Sequence, residues 1–209
     1  MVAAEGVRRT RRRLARDLSG LVELGIVWRK DFTAPLLEVR ADAPISVRRA
    51  SADSELREAA ALAGSGADER EQLFATRLAQ GHVCFIASID SEIVAYNWLL
   101  LEPGIDEGDV LALRADEAFF TDAFTAEAWR GRKIHRELLH RMLVYARDEG
   151  RRWGYTEVNV LNRRSWKAHR HLRWNVSGIL LTFRGRRGSR AELCIWGSRH
   201  PIVGRIPGL

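Results

Sequence analysis

The stretch Phe124-Thr125-Ala126-Glu127-Ala128-Trp129-Arg130-Gly131-Arg132-Lys133-Ile134-His135 decides the reading of this chain. It begins in a run over residues 118–125 that reads as a strand, breaks through a basic turn containing one glycine, and enters a segment of helical periodicity. Three of the five side chains from Arg130 to Ile134 are cationic. A helix start leaves backbone N–H groups without acceptors and carries partial positive charge, so a turn of this kind suits an anion, above all a phosphate.

Working outward, Ile134, Leu138, Leu139, Met142 and Tyr145 or Ala146 recur at three- and four-residue spacing and predict a helix with a single apolar stripe, ending near Gly150. Residues 156–161 alternate and are β-branched, which predicts a strand. Asn162 then opens a short helix that ends around Arg173-Trp174. The local order is strand, anion turn, helix, strand, short helix, strand.

These residues resemble the GNAT superfamily of acyl-CoA-dependent N-acyltransferases. Its signature is an Arg/Gln-x-x-Gly-x-Gly/Ala turn, an Asn-x-x-Ser/Ala-x-x-x-Tyr segment and a Gly-Phe pair. Arg130 to His135 occupy the turn, Asn162, Ser165 and His169 the second element, and Arg173-Trp174 the last. Three positions depart from the pattern: Lys133 stands for Gly, His135 for Gly or Ala, and His169 for Tyr. The order of elements matches over residues 45–196.

The resemblance implies an α/β (α+β) fold: one GNAT-like domain with a central, mixed, mostly antiparallel sheet flanked by helices. Residues 1–44 would be a basic N-terminal arm with extra strands, and residues 45–209 the acyltransferase domain. It implies acetyl-CoA or another acyl-CoA as cosubstrate and an amine acceptor. The coenzyme would be held by Arg130, Gly131, Arg132, Lys133, Ile134, His135, Asn162 and Ser165, with backbone N–H groups around Phe124 and Thr125 polarising the thioester carbonyl. His169 occupies the position from which the family's Tyr commonly protonates the departing thiol.

The residues themselves supply the rest of the chemistry. A free alkyl amine with a pKa of ~10.4 must lose its proton before it attacks a carbonyl, so a carboxylate base is useful. Glu117 and Asp122 are the candidates, and their odd separation predicts opposite faces of the strand. Each is equally readable as a carboxylate paired with a nearby arginine. An imidazole at position 169 can donate a proton near neutral pH, or can simply pack against the helix.

Composition sets the outer bounds. The 209 residues, 46% of them hydrophobic, suffice for one domain with a sizeable core. Cys84 and Cys194 each sit in an apolar strand-like run, which predicts buried thiols in a reducing compartment and no metal site. The absence of an apolar membrane-length segment or a secretory leader leads to the expectation of a cytoplasmic protein. The net charge of +7 comes almost wholly from arginine, since lysine occurs only at Lys30, Lys133 and Lys167. It favours anionic partners: a coenzyme, or nucleic acid at the runs over residues 8–16 and 184–190.

Upstream, residues 22–28 and 36–40 read as short strands around Pro35, a hairpin suited to covering a sheet edge or mediating a homodimer. A strand over 45–49 follows, then a helix to Leu62 capped by Ser51 or Asp53, and a second helix over 67–79. Residues 82–89 and 92–101 form a hairpin with Asp90-Ser91 at its turn, and its apolar faces predict a central position. Residues 103–109 read as a loop and 111–114 as a further strand segment. A non-catalytic protein of the same fold and a basic nucleic-acid-associated protein are the competing functional readings.

Overall fold

The computed structural model describes residues 22–64, 66–106, 109–184, 190–197 and 201–205. The N-terminal arginine run and most of the 184–190 run lie outside them, as does the side chain of Cys194. In chain order the elements are β1 (Val22–Asp31), β2 (Ser46–Arg49), α1 (Asp53–Ala61), α2 (Ala67–Ala79), β3 (Val83–Ile89), β4 (Glu92–Leu100), β5 (Gly104–Asp106), β6 (Asp109–Leu111), β7 (Glu117–Thr125), α3 (Ile134–Asp148), β8 (Trp153–Asn159), α4 (Arg163–His171), β9 (Asn175–Arg184), β10 (Arg190–Gly197) and β11 (Ile202–Arg205).

Eight strands form one sheet in the order β10-β9-β1-β8-β7-β4-β3-β2, and β11-β6-β5 form a small second sheet. Every described pairing is antiparallel except β7 with β8. The period-two alternation of β3 sorts its side chains between two cores. Phe85 and Ala87 face α3, whereas Cys84 and Ile86 face α1 and α2. Because both faces are covered, β3 and β4 are buried along nearly their whole length, as their apolar pattern predicted.

Four expectations are corrected. Residues 22–28 do not make an edge hairpin with 36–40. β1 lies inside the sheet between β8 and β9, with Val27 and Trp28 buried on opposite faces, and 36–40 has no strand partner. A strand needs a partner on each side to be central, and β8 and β9 supply both from distant sequence. Residues 103–109 contain the β5–β6 hairpin rather than only a loop. The first helix is not capped by Ser51 or Asp53: the Glu55 carboxylate reaches back to the N–H groups of Ser51 and Ala52 at 2.7 and 3.2 Å. Finally, β8 runs from Trp153 to Asn159, leaving Leu161 81% exposed in the turn that follows.

The feature that positions the site is the divergence of β7 and β8. They pair in parallel only across Glu117–Phe120 and Trp153–Thr156. Beyond Phe120, β7 pairs only with β4, and β8 turns to β1. The closed end of this wedge is packed by Phe32, Phe120 and Trp174. A Cβ at Gly154 would lie 2.6 Å from the Phe32 ring, so only glycine lets that ring seal the wedge.

Candidate active site

The open end of the wedge leads into a cavity of about 650 Å³, within the range of small-molecule sites. Its walls come from the end of β7 (Ala123, Phe124, Thr125), the turn and first residues of α3, and the exposed side of α4. The turn descends through a 3-10 segment at Glu127–Trp129, after which Gly131 and Lys133 both adopt positive φ, +85° and +59°. That conformation points successive N–H groups the same way, the concavity that binds anions. Among the described residues the backbone N–H groups of Gly131, Arg132, Lys133, Ile134 and His135 donate to no protein acceptor. These are orphan donors of a helix start, flanked by positive residues of the cavity lining: Arg130, Arg136, Arg164 and Lys167.

Arg130 ties the turn to the strand: its Nε donates to the Thr125 carbonyl at 3.0 Å and its guanidinium lies over the Phe124 ring. Lys133 turns outward, its Nζ 2.7 Å from Asp42 Oδ1, while the Asp42 N–H donates to the Arg132 carbonyl at 2.9 Å. The Ala41 N–H donates to Glu137 at 2.7 Å. The segment preceding β2 is thereby strapped across the outside of the turn, and the Lys133 side chain leaves the cradle open. Lysine in a left-handed conformation carries a strain of about 1–2 kcal/mol. Lys133→Gly is therefore expected to stabilise the fold by only about 0.3 kcal/mol, because the exposed ion pair it loses and the extra freedom of the unfolded chain together offset most of the strain. A thermal melt checks this, and a lowered midpoint would show the strap to outweigh the strain.

Asn162 and Ser165 also line the cavity. Asn162 caps α4, its Oδ1 accepting the Ser165 N–H at 3.1 Å, which leaves its amide N–H₂ available to a ligand. The sequence-predicted binding residues thus come together on one wall, Arg132 excepted: its guanidinium stacks over Trp129 at 4.7 Å.

The candidate catalytic side chains do not converge in the same way. Glu117 is buried at the closed end of the wedge, where its Oε2 accepts the Arg114 N–H at 3.0 Å. Asp122 does not face away from Glu117 as the parity of their numbers predicted. A bulge in β7 rotates it onto the α2 side, where Arg77 Nη1 donates to its Oδ2 at 2.7 Å and the Tyr96 hydroxyl to its Oδ1 at 3.3 Å. His169 is buried beside Trp28 and Trp174. Its Nδ1 lies 2.8 Å from the Ser165 carbonyl, a partner that can only accept, so Nδ1 carries the hydrogen and Nε2 is bare. Burial, reinforced by the neighbouring His135, lowers its pKa to about 4. His135, on the cavity wall, is likewise held at about 4 by desolvation and by Arg136. Both imidazoles are neutral at pH 7.

Sequence reasoning missed Arg77, which is fully buried and donates to Asp106 at 2.6 and 3.0 Å as well as to Asp122. Its place at the buried stripe of α2 beside Phe74 was the available signal. No group of side chains able to hold a metal occurs among the described residues, and no described helix is long and apolar enough to cross a membrane.

Comparison with known proteins agrees with this geometry. The family model described as acetyltransferase (GNAT) family matches residues 52–173. No curated protein matches the chain. Among solved structures, a GNAT-family acetyltransferase from Colwellia psychrerythraea is 14% identical, with 77% of this chain superposing on 55% of that one at a TM-score of 0.58. A GNAT-family protein from Novosphingobium aromaticivorans is also 14% identical, over 77% of this chain and 62% of its own, at a TM-score of 0.55. The structure of AAC(6')-Iy in complex with the bisubstrate analog CoA-S-monomethyl-acetylneamine is 17% identical, over 62% of this chain and 90% of that one, at 0.52. The chain therefore spans little more than half the length of the first of these structures. With the matched region running from the first helix through the end of α4, the chain belongs to the GNAT acetyltransferase family.

Proposed function

We propose that this protein transfers an acyl group, most simply acetyl, from acyl-CoA to an amine of a small molecule, amino sugar or peptide, by direct attack within a ternary complex. The observation that carries this reading is the run of five acceptor-free N–H groups, Gly131 to His135, at the mouth of a cationic cavity bordered by the unpaired edge of β7. The donor and charge pattern suits a diphosphate, and the wedge between β7 and β8 suits an extended chain reaching inward.

When bound, the coenzyme supplies an activated acyl group as a thioester. The turn and the side chains of Arg130, Arg136 and Arg164 would hold its phosphates, and Asn162 would hold the amide-bearing chain. The Ala126 N–H donates to Val94 of β4, so by alternation the Phe124 N–H also points to β4, and the wedge-facing N–H of Thr125 would polarise the carbonyl. The C–N bond forms as the C–S bond breaks, and the proton lost by the amine passes to the sulfur through water. Asp122 has both oxygens occupied, Glu117 lies at the closed end, and His169 is neutral with a bare Nε2, so positioning and carbonyl polarisation provide most of the acceleration.

Calorimetric titration with acetyl-CoA and desulfo-CoA tests the reading. Micromolar binding is expected, weakened about tenfold in Arg130→Ala through loss of a charge-assisted contact and of the tie to Thr125. Affinity should fall as salt rises, because the contacts are ionic. A wild-type protein that binds neither ligand would refute the proposal.

A further inference from the structure

The bend that carries β7 into the cavity is made without glycine. Trp98 pairs with Thr121 and Tyr96 with Phe124, so two steps along β4 face three along β7. Asp122 takes the extra position at a φ of +49°. Aspartate enters this region more readily than most residues, and at this position its side chain is also held by its surroundings. Here three elements do so. Arg77 of α2 donates to one carboxylate oxygen, the Tyr96 hydroxyl of β4 to the other, and Arg77 is itself locked by the two-pronged pair to Asp106 of β5. The guanidinium also lies against the Trp98 ring, 5.4 Å from its centroid. The three residues that follow, Ala123, Phe124 and Thr125, line the cavity.

Resting on the coenzyme reading above, we propose that Asp122 is a positioning residue: clamped by Arg77 and Tyr96 on the far side of the sheet, it sets the bulge that aims the wedge-facing backbone N–H of Thr125 at the thioester carbonyl. The carboxylate acts through the backbone. A base at this position would have to surrender a guanidinium and a phenol before taking a proton, and it lies on the face opposite α3.

The choice of substitution separates the roles. Asparagine tolerates positive φ and keeps an oxygen for Arg77, whereas alanine does neither. In the ligand-free protein, the backbone amide resonances of Ala123, Phe124 and Thr125 are expected to move in Asp122→Ala and to stay near wild type in Asp122→Asn, with those of Phe119 and Phe120 unchanged. With acetyl-CoA labelled with carbon-13 at the carbonyl, the downfield shift of the bound thioester should fall by about half or more in Asp122→Ala and persist in Asp122→Asn. Affinity in both should remain within about threefold, since the phosphate cradle is untouched. Tyr96→Phe, which removes only the weaker hold, is expected to give an intermediate shift. Unmoved amides and an unchanged carbonyl shift in Asp122→Ala, with binding intact, would overturn the inference alone. Equal loss of the shift in the Asn and Ala variants would overturn it in favour of a role for the negative charge itself. Absence of acetyl-CoA binding by the wild type would instead overturn the coenzyme reading, and with it the purpose assigned to the clamp.

Discussion

Arg77→Ala is expected to cost the fold about 3–5 kcal/mol, the range for breaking a buried ion pair from one side. The cost arises from what is left behind. Arg77 is 0% exposed and serves Asp106 at 7% exposure and the partly buried Asp122, so its removal leaves two carboxylates facing a low-dielectric interior with no cation between them. A cavity the size of the side chain adds to the loss. For a domain of this size each kcal/mol moves the midpoint by roughly 2–4 °C, so a fall of about 6–20 °C is expected in a thermal melt. The triple variant Arg77→Met, Asp106→Asn, Asp122→Asn should recover part of that fall, because the hydrophobic replacement no longer strands a charge. A change below about 2 °C in Arg77→Ala would show that water enters and solvates the carboxylates.

Stability should also decline steeply on mild acidification, and His169 should account for much of it. Its ordinary pKa of 6.5 is lowered to about 4 in the folded protein by burial first and by His135 second. Between those two values the unfolded chain takes up a proton that the folded chain excludes. Stability therefore falls as pH drops from 6.5 toward 4 and is insensitive to this group above 6.5. The difference integrates to about 3 kcal/mol at pH 4, or a midpoint lower by roughly 6–12 °C. His135 shifts in the same direction. It lies partly buried on the cavity wall and adds to the loss over the same pH range. His169→Phe keeps an aromatic ring against Trp28 and removes the titrating group, so the gap between its melts at pH 7 and pH 4.5 should be much smaller than that of wild type. Identical gaps in the two proteins would mean that His169 does not titrate with folding.

The turn and its helix were readable because their signals are local. The apolar stripe from Ile134 to Ala146, the turn at Gly131 and the cap at Asn162 each act within a few residues of themselves, and the structure places these elements as their spacing implied. Lys133 shows the limit of such reading. Its left-handed φ matches the family's glycine, but its direction depends on Asp42, which lies 91 positions earlier in the chain.

The sequence by itself determined the order of elements from β7 through α4, the basic turn between β7 and α3, the two-sided burial of the β3–β4 hairpin and the family, because periodicity, capping and turn chemistry are written in neighbouring residues. Tertiary structure alone decided that β1 enters the sheet between β8 and β9, that a bulge turns Asp122 toward Arg77, and that His169 is enclosed and neutral. Each of these depends on partners far away in the chain: strand pairing needs a second and third strand, a buried charge needs its counterions, and a pKa is set by what excludes water from the group.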